Sequence, residues 1–82
     1  MKQIPLAAIK EIYRTAINAD VSNEESVVWW EEVAIEIRHV IAAPTDAAAA
    51  NIIVWWHADW SMISDTPLAA AARLRDAARS HA

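Results

Sequence analysis

Two arrangements in this chain have the residue types and spacing of chemical sites. The run Glu36-Ile37-Arg38-His39 sets a carboxylate and an imidazole three positions apart, the spacing that carboxylate-bridged di-iron sites use to aim two ligands from one helix at a metal. Such sites repeat the motif on a second helix and add further glutamates facing the bundle core. Here it occurs once, on the side of its helix away from the apolar stripe. A solvated Glu–His pair is therefore expected, and no metal is assigned.

The second arrangement is His57, Ser61 and Ser64, three polar residues along one side of a helical stretch, which raises a base-and-nucleophile reading. Neighbours on one helix do not converge on a common reacting atom, and no glycine elbow or oxyanion hole accompanies them. The chain has no cysteine, which removes disulfides, thiolate chemistry, cysteine-bound zinc and iron–sulfur clusters and fits a reducing compartment. The expectation is a protein with no catalytic residues and no cofactor, and not an enzyme.

The elements that position these residues are helices. The chain has 82 residues, no glycine and three prolines, so primed hairpin turns and glycine-rich phosphate loops lose their usual residue. Prolines and capping residues divide it into four segments. The prediction is an all-α, compact bundle of about four helices, spanning residues 5–18, 23–42, 46–63 and 67–80 of one domain, 1–82. In the first, Pro5 suits the first helical position, and Leu6, Ile9, Ile12, Tyr13, Ala16 and Ile17 fall on one face at about 100° per residue. The second starts with the capping box Ser22-Asn23-Glu24-Glu25 and presents Trp29, Trp30, Val33, Ala34, Ile37, Val40 and Ile41 inward. The third begins near Thr45. The fourth is capped by Asp65 or Thr66, starts on Pro67, and has only Leu68 and Leu74 as large apolar residues. The runs VVWW and NIIVWW favour strands by composition, but neither alternates and both sit among strong helix formers, so helix is the reading for each.

Charge narrows the partners. The formal net charge is −4, and residues 1–66 hold four basic against ten acidic side chains, a balance of −6, whereas residues 67–82 hold three against one. An acidic body is a poor electrostatic footprint for nucleic acid, where basic faces supply most of the affinity, and equally poor for anionic membrane surfaces. A helix-turn-helix built from the second and third helices fails because its recognition helix has no Arg or Lys. The longest uncharged stretch in the tryptophan region, residues 47–56, is half of the ~20 residues a bilayer requires, and the N-terminal apolar run is broken at Pro5 and Lys10. A soluble, cytoplasmic protein with no membrane contact is expected.

Two surfaces remain for binding. On the second helix, Glu25, Glu32 and Glu36 form one acidic row and Glu24 and Glu31 another, with Val28 and Ile35 between them; a solvated helix face is the bland account, and docking on a basic protein surface the functional one, or mimicry of nucleic acid, which in full would want a larger charge than −4. On the third helix, Ala49, Ile52, Ile53, Trp56, Trp60 and Ile63 make a core face, but Trp55 points about 110° away from it. Trp55 joins Asn51, Ala58 and Met62 on a second apolar face, with Asp59 at the seam. Such a helix is either packed on both sides within the chain or covered by another chain, a second copy or a foreign protein. In general build, a small acidic helical domain without catalytic residues resembles the inhibitors encoded by phages and other mobile elements, anti-CRISPR and anti-restriction proteins among them. That likeness implies a protein-binding inhibitor or adaptor that occupies a partner's surface. The alternative is a self-associating assembly protein, a homodimer through the tryptophan-rich third helix.

Overall fold

A computed structural model of the chain describes residues 4–18, 26–56 and 60–81. They form four α-helices, α1 Leu6–Ile17, α2 Val27–Ala42, α3 Asp46–Val54 and α4 Pro67–Ser80, with a short 3-10 helix Trp60–Met62 in the α3–α4 connection. There is no strand among the described residues. The all-α bundle read from the sequence is the observed architecture.

Helix starts follow side-chain chemistry. Thr45 Oγ1 accepts from the Ala48 amide at 3.1 Å and Thr66 Oγ1 from the Ala69 amide at 3.2 Å, each satisfying one of the amides a helix start leaves open. Pro67 follows Thr66 as the first residue of α4. Pro5, expected inside α1, stands one position earlier, as its N-cap with extended backbone. α2 corrects the sequence reading more substantially. It starts at Val27, capped by Ser26, whose Oγ accepts from the Trp29 amide at 3.1 Å. The box at Ser22–Glu25 lies outside the described residues, and the extended backbone of Ser26 excludes one helix running from residue 23 to 42. Ser26 is as good a cap as Ser22 and stands directly ahead of the first inward residues, so an extra turn of Asn23, Glu24 and Glu25 adds no apolar burial.

α3 is the second correction. It has nine residues and ends at Val54, where a single helix to residue 63 was expected. The Trp55 and Trp56 amides bond back to the carbonyls of Ile52 and Ile53 at 3.1 and 2.9 Å, the three-residue reach of a closing 3-10 turn. Ile52, Ile53 and Val54 are β-branched and lose rotamer freedom in a helix. Two indoles follow them, so continuation gains little locally. By turning, the chain places both Trp56 and Ile63 in the core.

All four helices line that core: Ile9, Ile12 and Tyr13 from α1; Trp30, Val33, Ile37 and Val40 from α2; Ala49 and Ile53 from α3; and Ala70, Ala71, Leu74 and Ala77 from α4. At one side Tyr13, Trp29 and Trp30 pack edge-to-face in a triangle, with ring centroids 4.8–5.9 Å apart, each pair worth about 0.5–1.5 kcal/mol beyond its burial.

Arginines then tie the elements together. Arg75 on α4 donates from Nη1 to the carbonyls of Val40 and Ala43 at the end of α2, and its Nε lies 2.8 Å from Asp46 Oδ1 at the start of α3. Arg38 donates from Nε and Nη2 to the Ile4 carbonyl at 3.0 and 2.7 Å. Arg73 Nη1 donates to the Ile63 carbonyl at 2.8 Å. Replacing Arg75 with alanine should lower unfolding free energy by about 2–3 kcal/mol, because charge-assisted bonds to end carbonyls are lost from a nearly buried side chain. Arg79→Ala, which breaks only the exposed pair with Asp76, should change it by no more than about 0.5 kcal/mol. Urea denaturation followed by circular dichroism measures both, and equal effects would contradict the role given to Arg75.

Candidate functional site

Trp55 and Trp56 are neighbours in sequence with opposite fates. Trp56 is 8% exposed and belongs to the core, whereas Trp55, the C-cap of α3, is 83% exposed. The helix ending causes the split: at Trp55 the backbone leaves helical geometry (φ −97°, ψ 9°), so the next side chain turns inward and this one does not. The indole N–H of Trp56 has no acceptor among the described residues.

Trp55 has apolar company at the same end of the α3–α4 pair. Val54 on the last turn of α3, Met62 on the 3-10 helix and Leu68 on the first turn of α4 are all exposed, Met62 at 63%. Asn51, also on α3, is exposed too. The sequence reading grouped Trp55, Met62 and Asn51 on one face of a long helix. The structure keeps their exposure and replaces the common helix by a turn of chain, which adds Val54 and Leu68. Asp59, together with His57 and Ala58, lies outside the described residues. Val54 escaped the sequence reading because the third helix is expected to continue to residue 63, and Leu68 because it is counted with Leu74 as a large apolar residue of the inward face of α4, whereas only Leu74 is buried.

The second surface is the outer side of α2. Val28 is 64% and Ile35 56% exposed, and Glu31 and Glu32 are exposed between them. These four are disposed as the sequence reading placed them. Glu36 is only partly exposed and has an interaction within the chain, so it stands at the edge of the row. Glu24 lies outside the described residues. His39 is exposed beside Glu36, and among the described residues no group of three or more histidine, aspartate or glutamate side chains is assembled to hold a metal.

An open cleft of about 330 Å³ lies between the C-terminal halves of α1 and α4, with Ala16 and Ala77 as its apolar lining and Thr15, Asn18, Arg73, Asp76 and Ser80 as its polar one. Most of these polar groups already serve the fold. Thr15 donates to the Glu11 carbonyl, Ser80 to the Asp76 carbonyl, Arg73 to the Ile63 carbonyl, and Asp76 is paired with Arg79. The arginines of the basic tail are thus largely committed internally. No helix among the described residues is long and apolar enough to cross a membrane.

No protein-family model matches this chain, and neither a curated protein nor a solved structure is similar enough to count as a match. Its surfaces must be read from their own physics.

The two indoles give a direct test of that reading. Trp56→Ala should destabilise the fold by about 3–5 kcal/mol, the usual cost of truncating a core aromatic. Trp55→Ala should change stability by no more than about 0.5 kcal/mol, as surface substitutions do. A large loss on Trp55→Ala in chemical denaturation would show that this side chain is part of the core.

Proposed function

We propose that this protein is a non-enzymatic protein-binding module, an inhibitor or adaptor that acts by occupying a partner's surface. The observation that carries the reading is Trp55, a large indole 83% exposed with Val54, Met62 and Leu68 exposed at the same end of the helix pair. Tryptophan is the residue type most enriched among binding hot spots, and methionine is enriched at interfaces in general. A small domain that has a core available to it, and fills that core with the adjacent Trp56, has no folding reason to place an indole in water.

Charge supports a foreign protein as the partner. The acidic body disfavours nucleic acid and anionic membranes and attracts a basic protein surface, with Glu31 and Glu32 on α2 steering the encounter and buried apolar contacts prolonging it. The likeness to phage and mobile-element inhibitors, anti-CRISPR and anti-restriction proteins among them, is one of size, acidity and helical build, and it is consistent with action by occlusion. The cytoplasm is the compartment that suits a cysteine-free chain.

The Trp55 end also favours a second reading. Its four exposed apolar residues carry no charge to repel a copy of themselves, so a homodimer through this end is the competing account. Sedimentation across a concentration series separates them. The binding-module reading predicts that Trp55→Ala leaves the association state unchanged, and a dimer that dissociates on that substitution would transfer this surface to self-association.

For the partner recovered from the native host, Trp55→Ala should weaken binding by at least about tenfold, as loss of a hot spot does. Glu31→Arg combined with Glu32→Arg should weaken it with a smaller salt dependence, leaving the melting temperature nearly unchanged. Calorimetric titration at two salt concentrations measures both. Unaltered affinity in both variants would remove the reading.

A further inference from the structure

The outer side of α2 carries carboxylates in one half and nitrogen donors in the other, with Ile35 between them. Val28, Ile35 and Ala42 recur every seven residues, and all three are exposed. On a helix, positions seven apart drift by only about 20°, so they form one apolar seam about 21 Å long. Glu31 and Glu32 flank its N-terminal half, one on each side, and Arg38 and His39 flank its C-terminal half in the same way, all within about 60°. Glu31, Glu32 and His39 are exposed and Arg38 partly so. Arg38 gives Nε and Nη2 to the Ile4 carbonyl, which leaves Nη1 for a further acceptor. Glu36 stands farther round, about 100° from Ile35, and Asp46, past the end of α2, is paired with Arg75.

We infer that two copies of this chain associate through this seam as an antiparallel helix pair, related by a two-fold axis at Ile35. The inference goes beyond the binding-module reading and uses none of the residues at the Trp55 end. With the axis at Ile35, Val28 lies opposite Ala42 of the second copy, and Ile35 opposite Ile35. Glu31 falls on the same side as Arg38 of the second copy, and Glu32 on the same side as its His39, each pair offset by about 1.5 Å along the helices. The first pair joins a carboxylate to a guanidinium. In the second the carboxylate accepts from an imidazole N–H, which histidine offers whether neutral or charged. Like charges stay about 9–12 Å apart along the helices, beyond the ~8 Å screening length of physiological salt.

The same four residues select the orientation and the occupant. In a parallel pair Glu31 would face Glu32 of the second copy, and Arg38 its His39, so like groups would oppose association. A uniformly basic helix would suit Glu31 and Glu32 and be repelled at Arg38; a uniformly acidic one would do the reverse. A reversed second copy satisfies all four borders at once, which is the self-complementarity a two-fold contact requires. With three seam residues from each copy, the contact belongs to the small, reversible class, and dilute protein is monomeric. The carboxylates are then uncovered for the steering role given to them above.

Sedimentation and amide chemical shifts of the isotope-labelled full chain, both followed from dilute to concentrated protein, test the pairing. The expected result is a monomer–dimer equilibrium with the largest shifts at Val28, Glu31, Glu32, Ile35 and His39. Ile35→Asp, which sets two carboxylates together on the axis, should raise the dissociation constant at least about tenfold. His39→Glu, which opposes Glu32, should raise it about two- to fivefold, and adding Glu32→Lys to it should restore the original constant. That recovery separates a pair across the contact from a change in the fold, and it stands should Ile35→Asp perturb folding, because both residues are exposed. Trp55→Ala should leave the association unchanged. A chain that stays monomeric up to its solubility limit overturns the inference. So does a dimer indifferent to Ile35→Asp, or a double variant that fails to recover. A dimer lost on Trp55→Ala, with no shifts on α2, also overturns it and assigns self-association to the Trp55 end.

Discussion

The guanidinium of Arg75 is the interaction on which the arrangement of helices depends. A chain with no glycine lacks the residue that most often closes a helix by adopting a left-handed conformation and satisfying the last carbonyls. The work is divided instead. Asn18 takes the left-handed position at the end of α1 (φ 54°), a conformation asparagine tolerates better than other residues with a Cβ. α3 and α4 close on backbone amides, those of Trp55, Trp56 and His81, and at the end of α2 an arginine side chain adds donors. Arg75 bonds two carbonyls at the end of α2 and pairs with Asp46 at the start of α3. One side chain of α4 thereby fixes the turn between the two preceding helices. Its planar fork makes several directed bonds at once, which a lysine ammonium on the same stem does less well. These internal commitments account for a basic tail that adds little to the recognition surface.

The same constraint shapes the candidate surface. α4 is mostly alanine on its inner side, with Leu74 as its one large buried residue, so the core needs apolar volume from elsewhere. The chain recruits Trp56 and Ile63 by ending α3 at Val54 and turning. That turn leaves Trp55 outside. The exposure of this position is thus a geometric consequence of how the core is filled, and the presence there of an indole, with Val54, Met62 and Leu68 exposed at the same end, is what gives it a binding interpretation.

How much of this was legible in the sequence depends on where the signals were local. Thr45, Thr66 and Pro67 are short-range cap signals, and the starts of α3 and α4 follow them. Ser22 and Ser26 are equivalent caps by residue type; only the position of the apolar stripe, a tertiary property, selects Ser26 as the start of the observed α2. The inward residues of α3 and its extension were identified even though the continuous helix was not. Ala49, Ile53, Trp56 and Ile63 are buried, and Ile52 and Trp60 pack against the core partly exposed. Helical periodicity and a turn delivered the same residues to the core, because burial is decided by hydrophobicity before it is decided by backbone conformation. The break itself had no local marker beyond a β-branched run, so Val54 and Leu68 were not recognised as companions of Trp55. On α2 the outward placement of Val28, Glu31, Glu32 and Ile35 was fully legible, since one uninterrupted helix carries all four.

The central claim is that Trp55 faces water in the free monomer and waits for a partner. Fluorine NMR of the chain labelled with 5-fluorotryptophan, with the Trp55 signal assigned by Trp55→Phe, tests it most directly. The account predicts that this signal shows the full solvent isotope shift of an exposed indole on moving from light to heavy water, at dilute and concentrated protein alike, while Trp56 shows almost none. A Trp55 signal shielded from solvent in the dilute monomer would contradict the account, because the side chain would then already be covered by its own chain.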